Sequence, residues 1–235
     1  MAWTQVLAVD GRGAIERDDR LAGEEPMQIL AAGPRQPPVE VAVTMRTPGH
    51  EAELAVGFLF SEGLIEAGAV RDVAFGDVAR DARPDDVVTV QLRRPFDATR
   101  VAERHFVATA SCGICGKASI DEVMLRCAPL REGPVVAGDV LTALPARLRN
   151  AQETFEATGG LHAAGLFEPD GTLVVLREDV GRHNALDKLI GERYLGGALP
   201  LHRFILLVSG RISFELVQKA AAAGVPLLAA VGAPT

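Results

Sequence analysis

The chain has 235 residues, of which 48% are hydrophobic but only 5% aromatic, so it can bury a sizeable core built mainly from aliphatic side chains. Its formal net charge of −7 argues against a general nucleic-acid-binding protein, because such proteins carry a basic excess. The sequence shows no leader pattern, no apolar run that could span a bilayer and only three cysteines, so we expect a cytoplasmic protein with reduced thiols and no membrane association.

The N-terminal half of the chain divides into a weakly patterned stretch and an ordered part. Residues 1–38 are rich in Gly, Pro and charge and are predicted to form an arm. A smaller α+β part follows over 39–108, where the elements expected are a strand over 39–45, a buried helix over 51–62 and a strand over 87–92. Thr47-Pro48 predicts the start of the helix and Gly63 its end.

Residues 109–127 are predicted to form a mobile cysteine loop and a helix from about residue 117. Two of the three cysteines, Cys112 and Cys115, are separated by Gly-Ile and followed by Gly-Lys117. Positive charge and a helix N-terminus both favour the reactive thiolate. The pair therefore indicates sulfur or redox chemistry, or half of a metal site.

A zinc knuckle is the main alternative for this pair, with Cys127 as a third ligand and His105 as a fourth. No second ligand pair supports it, and Cys127 shares a helical face with apolar residues, which favours a core position. A thioredoxin-like site would place the pair directly after an early strand, which does not fit its position near the middle of the chain.

Residues 128–235 are predicted to form an α/β core. Its expected elements are a helix over 146–155, strands over 161–167 and 172–177, a helix over 183–194, a strand over 203–208, a serine-capped helix over 213–223 and a strand over 225–231. We therefore predict an α/β fold, a layered mixed sheet with helices, beside the smaller N-terminal part.

The densest polar segment, 177–188, lies where a strand ends and a helix begins. Ligands of open α/β sheets bind at such strand ends, and a helix N-terminus favours phosphate. Glu178 and Asp179 could accept hydrogen bonds from a base or pterin ring, while the segment's cations would act as donors. The alternative is a polar, well-capped helix start with solvated charges.

The same strand-to-helix geometry recurs at Ser209-Gly-Arg211, although Gly and Ser are also ordinary turn residues. Two glycines precede the strand that carries His162, which could be a base, a ligand or a core histidine. The predicted cofactor-binding residues are Gly159, Gly160, His162, Glu178, Asp179, Arg182, His183, Asn184, Lys188, Ser209 and Arg211.

A zinc deaminase is excluded by three departures from its motif. The sequence His162-Ala-Ala164 lacks the glutamate that shuttles protons, and Ser111, not proline, precedes the cysteine pair, which itself comes before the histidine.

Taken together, these segments resemble the formate dehydrogenase accessory sulfurtransferase family, known as FdhD, over roughly residues 39–235. The matching stretches are Pro48-Gly-His-Glu-Ala-Glu-Leu-Ala-Val-Gly-Phe58, Ser61-Glu-Gly63, Cys112-Gly-Ile-Cys-Gly116, Thr158-Gly-Gly-Leu-His162, Glu178-Asp-Val-Gly-Arg-His-Asn-Ala-Leu-Asp-Lys188 and Ser209-Gly-Arg211.

The resemblance implies a sulfur carrier with a core similar to the cytidine-deaminase fold. A cysteine desulfurase would load sulfur as a persulfide onto Cys112 or Cys115, with Cys112 favoured by its place in the motif. The protein would pass this sulfur to the molybdenum (or tungsten) bis-molybdopterin guanine dinucleotide cofactor of formate dehydrogenase. It would act as a homodimer without a tightly bound metal of its own.

One departure from the family concerns the C-terminus. The chain stops at Thr235, just after the last predicted strand, where members of the family usually continue through a further helix and strand to a segment that contacts the cofactor. We therefore expect either a sequence that is truncated here or a protein that has lost part of its cofactor site, while the sulfur step does not depend on this segment. The alternative function is a zinc-binding or redox-sensing interaction protein that uses Cys112, Cys115 and Cys127.

Overall fold

The computed structural model describes residues 1–11, 13–76, 84–102 and 129–234. The strands within these ranges are β1 (Ala2–Asp10), β2 (Gly13–Leu21), β3 (Glu25–Ala32), β4 (Val39–Arg46), β5 (Val70–Phe75), β6 (Val87–Leu92), β7 (His162–Phe167), β8 (Leu173–Asp179), β9 (Ile205–Val208) and β10 (Leu227–Ala230). The α-helices are α1 (Glu51–Ser61), α2 (Thr99–Ala102), α3 (Gly138–Ala151), α4 (Glu153–Thr158), α5 (Arg182–Leu195) and α6 (Phe214–Ala222). All three cysteines, His105 and the helix predicted after residue 117 lie outside the described residues.

The N-terminal sheet has the strand order β4-β3-β6-β5, with β3 and β6 parallel and the two outer pairs antiparallel. Its core side chains meet those of α1, which is apolar on most sides and largely buried, as the sequence predicts. The strands predicted over 39–45 and 87–92 are confirmed as β4 and β6.

The prediction of a loosely packed arm over 1–38 is wrong for β3, a central strand of that sheet. Met27, Ile29 and Ala31 alternate along it and are fully buried. The run of apolar residues is short and is bounded by glycines and prolines, which hid the alternation. Strands β1 and β2 form an antiparallel hairpin with mostly exposed side chains, and β5, which is largely exposed too, was not predicted.

The C-terminal sheet has the order β10-β9-β7-β8, in which β7 is antiparallel to both β8 and β9, while β9 and β10 are parallel. Helices α5 and α6 cover one face and α3 covers the other, so two apolar clusters flank the sheet. The predicted α/β class is confirmed, whereas the likeness to the cytidine-deaminase fold stays a prediction.

Two local predictions in this half need correction. The helix predicted over 146–155 is two helices, because α3 starts at Gly138, tolerates Pro145 in its interior and ends before Gln152. Ser213 stands at the N-cap of α6 but makes no side-chain capping bond. None of the helices in the described ranges has the length and apolarity needed to cross a membrane.

Helices α1 and α5 join the two halves at very close range. A Cβ added at Gly57 would lie 1.8 Å from the backbone oxygen of Asp187, and one at Gly191 would lie 1.8 Å from that of Glu53. Glycine is therefore required at both positions for the two helix backbones to touch.

Candidate functional site

The strand-to-helix junctions singled out in the sequence meet at one edge of the C-terminal sheet. Because β7 runs antiparallel to its two neighbours, its first residue lies beside their last residues. His162 is paired with Asp179 at the end of β8, and the Ser209 amide, just after β9, donates to the Ala163 carbonyl at 2.9 Å. Three segments that are distant in sequence are thus adjacent in space.

A cleft of about 600 Å³ opens at this edge. Its lining residues are Pro145, Leu148, Arg149, Gln152, Phe155, Gly159, Gly160, Leu161, His162, Ser209 and Val231. Four of the predicted cofactor-binding residues, Gly159, Gly160, His162 and Ser209, are therefore brought together. A mostly apolar concavity with a few convergent polar groups is typical of a small-molecule site.

The polar side of the cleft is built around Ser209. Its Oγ accepts a hydrogen bond from the Ala163 amide at 2.9 Å and lies 3.5 Å from His162 Nδ1. The next residue, Gly210, lies against both neighbouring side chains, because a Cβ there would be 3.4 Å from Arg182 Cδ and 3.6 Å from His162 Nδ1. Arg182 thus flanks His162, and the side chain of Arg211 is exposed beyond it.

The His162 imidazole is held in its neutral form. Burial is the largest cause and lowers its pKa below 6.5; its neighbours Arg182 and His183 lower this pKa further, while Asp179 raises it. A neutral imidazole can donate from one ring nitrogen and accept at the other, so His162 can hydrogen-bond a ligand without adding charge to the site.

Three predicted binding residues are engaged inside the fold instead. The fully buried Asp179 carboxylate lies 2.7 Å from Lys188 Nζ and accepts from Asn184 Nδ2 at 3.0 Å and from the Thr47 amide at 3.0 Å. Asn184 also donates to the Met45 carbonyl at 2.8 Å. These residues fasten the end of β8 and the start of α5 to the segment between β4 and α1.

Two further predicted residues also have protein partners. The Glu178 carboxylate accepts from the amides of Thr154 and Phe155 at 3.0 and 2.8 Å, so it caps the start of α4. His183 Nε2 lies 2.7 Å from a carboxylate oxygen of Glu215, which links the first turns of α5 and α6. Neither residue is among those that line the cleft.

Arg149, Gln152 and Phe155 line the cleft but were missed from the sequence. The Arg149 guanidinium carbon lies 4.2 Å from the centre of the Phe155 ring, and its Nη2 pairs with Glu156 at 2.8 Å. No sequence pattern points to these three residues, because their position depends on the helix break at Gln152 and on the cap that Glu178 of β8 supplies to α4.

Within the described residues, no group of three or more His, Cys, Asp or Glu side chains is arranged to hold a metal ion. The proposed zinc ligands Cys112, Cys115 and Cys127 lie outside those residues, so that alternative rests on sequence alone.

Comparisons with known proteins agree on one family. The model of the FdhD/NarQ family matches residues 22–235. The chain is 47% identical to the sulfur carrier protein FdhD of Nocardia farcinica, over 98% of this chain and 82% of the relative. It is 41% identical to the protein of the same name from Sulfurisphaera tokodaii, over 93% of this chain and 80% of the relative. A crystal structure from Desulfotalea psychrophila, described as a formate dehydrogenase accessory protein, aligns with a TM-score of 0.72 at 23% identity, over 100% of this chain and 84% of that one.

Proposed function

Because the chain belongs to the FdhD/NarQ family, we propose that it is a sulfur carrier that serves formate dehydrogenase. It takes sulfur from a cysteine desulfurase as a persulfide and delivers it to the molybdenum (or tungsten) bis-molybdopterin guanine dinucleotide cofactor. The cofactor is thus its substrate, and the carrier acts as a cytoplasmic homodimer.

The loading step is a thiol exchange. The Cys112 thiolate attacks the outer sulfur of the desulfurase persulfide, so a new S–S bond forms as the donor's S–S bond breaks. The donor leaves as a thiolate, and Cys112 carries the –S–SH group. Charge and atoms balance without a bound metal ion, and Cys115 is the second thiol that helps release the sulfur.

The cleft at the sheet edge is where we propose that the cofactor binds. The observation that carries this is the convergence of Gly159, Gly160, His162 and Ser209 on one concave surface, with Arg182 directly beside it. The glycines allow a ligand to approach the backbone, and the arginine fork suits phosphate oxygens. The exposed Arg211 supplies a second cation for a diphosphate.

Mass spectrometry after incubation with a desulfurase and L-cysteine tests the sulfur step. We expect one extra sulfur atom on wild-type protein and none on Cys112→Ala. A persulfide that survives Cys112→Ala unchanged would overturn the assignment of the carrier cysteine.

Calorimetric titration with GDP tests the cofactor cleft. Loss of one charge-assisted contact to phosphate corresponds to about 1.5–3 kcal/mol, so Arg182→Ala should weaken binding about tenfold or more. Arg203→Ala is the matched control, because Arg203 is exposed and is not among the cleft residues. Equal affinities for the two variants would count against this site.

A further inference from the structure

A second cavity, of about 420 Å³, lies in the N-terminal half between the loop after α1 and the turn after β6. Leu64, Ile65, Leu92 and Phe96 form its apolar floor and are themselves at most 6% exposed. This cavity does not share any lining residue with the cleft at the C-terminal sheet.

Both walls of this cavity are held in place by side chains from elsewhere in the fold. Tyr194 Oη donates to the Glu66 carbonyl at 2.7 Å and accepts from the Val70 amide at 3.2 Å. On the other side, the Gln36 side chain accepts from the Phe96 amide at 2.7 Å and donates to the Phe96 carbonyl at 3.3 Å. A binding partner would therefore meet a preformed surface, which lowers the entropy lost on association.

The rim of the cavity carries Arg93, Arg94 and Arg100 against two acids, Glu66 and Asp97. The Asp97 carboxylate accepts from Thr99 N at 3.1 Å and from Thr99 Oγ1 at 2.6 Å, and its other oxygen lies 3.8 Å from Arg100 Nε. Within the described part of the chain, neither Arg93 nor Arg94 forms an ion pair. A net positive rim on a chain of net charge −7 is locally complementary to an acidic group.

We propose that this cavity docks an acidic segment of the protein that donates sulfur. A carboxylate of that segment would be bound by the arginine forks, and a neighbouring aliphatic side chain would contact the apolar floor. Arg100 precedes Cys112 by only twelve residues, so the docking surface is near in sequence to the thiol that the partner must load. This inference rests on the proposed function, because it names the surface through which loading occurs.

The test compares wild-type protein with the double variant Arg93→Glu, Arg94→Glu. The affinity for a purified cysteine desulfurase is measured without L-cysteine, and the rate of persulfide formation is measured with it, each at low and high salt. We expect the double variant to lose about tenfold or more in both quantities at low salt and to lose most of their salt dependence. The control is Arg203→Glu, whose side chain is 68% exposed on the C-terminal half.

The possible outcomes distinguish a failure of the proposed docking surface from a failure of the proposed sulfur step. Equal affinities of wild type and double variant would overturn the docking surface, as would a wild-type protein that does not bind the desulfurase. If the wild type binds through these arginines but receives no sulfur, the docking surface stands and the proposed function fails. If circular dichroism shows that the double variant is unfolded, the single variants Arg93→Ala and Arg94→Ala decide in the same way.

Discussion

At the scale of single residues, the surroundings of His162 in the cleft favour its neutral form. Burial lowers its pKa first, and Arg182 and His183 add to this effect. The unfolded chain therefore binds a proton at His162 more readily than the folded protein does. The contribution of His162 to stability is present above about pH 6.5 and is lost as the pH falls through the lower, folded-state pKa.

We predict that an NMR titration of the ring protons of His162 gives a pKa below the ordinary histidine value of about 6.5. Arg182→Ala should raise the pKa of His162 only in part, because burial remains the larger cause. Arg211→Ala is the control, since Arg211 is not among the groups that shift this pKa. A folded-state pKa for His162 at or above about 6.5 would contradict the prediction.

Glu178 was predicted to bind a cofactor, but its bonds make it a residue that positions the cleft wall. It caps α4, a helix of six residues whose own N-cap makes no side-chain bond. We predict that Glu178→Ala costs about 1–2 kcal/mol in the free energy of unfolding, measured in urea, and weakens GDP binding by displacing Phe155. Glu153→Ala, in the first turn of the same helix, is the control. An unchanged GDP affinity in a folded Glu178→Ala protein would show that the cap does not position the wall of the cleft.

At the scale of elements, the sequence predicted the helices and strands whose own residues show a clear periodic pattern of apolar side chains. Strands β7 to β10 and helices α1, α5 and α6 are examples, and their boundaries differ from the predicted ones by only a few residues. Strand β3 and helix α4 were missed as separate elements because the contacts that stabilise them come from other parts of the chain. Strand β3 is fixed by its pairing with β4 and β6, and α4 depends on the cap from β8.

The contact of α1 with α5 is the element-scale feature most sensitive to substitution. We predict that Gly57→Ala or Gly191→Ala lowers the free energy of unfolding by at least the upper end of the usual overpacking cost of about 1–3 kcal/mol, because the added methyl group would overlap backbone atoms. Gly138→Ala is the matched control, since a Cβ there meets no atom within 4 Å. Chemical denaturation gives the three values, and equal stabilities for Gly57→Ala and Gly138→Ala would refute the close approach.

At the scale of the whole molecule, the candidate site depends on both halves of the chain. The sequence predicted that two strand-end junctions form one pocket, and four of the eleven residues named from it line the cleft. It could not show that Asp179, Asn184 and Lys188 face inward, because that follows from their contacts with the segment between β4 and α1. Charged residues at a strand end have the same sequence pattern whether they bind a ligand or join two parts of a fold.

A buried polar cluster at the junction of α1, α5 and α6 further joins these parts. Lys219 Nζ lies 2.9 Å from Asp187, 3.0 Å from Glu62 and 2.8 Å from Ser61 Oγ. Burial acts against the charged lysine, but the two carboxylates more than compensate and raise its pKa above the usual value. Lys219 therefore stays protonated, and the cluster connects the helix under the N-terminal sheet to the two helices on the C-terminal sheet.

We predict that Lys219→Met destabilises both halves together. Removal of the lysine leaves the Asp187 and Glu62 carboxylates buried without their cation. This should lower the free energy of unfolding by about 3–5 kcal/mol. Because α1 and α5 carry those carboxylates, hydrogen exchange should lose protection by the same amount in β6 of the N-terminal sheet and β9 of the C-terminal sheet. Arg203→Met, at an exposed cation, should leave both strands as protected as in the wild type. If β6 kept its protection while β9 lost it, the two sheets would unfold separately, and the cluster would stabilise only the half that carries the cleft.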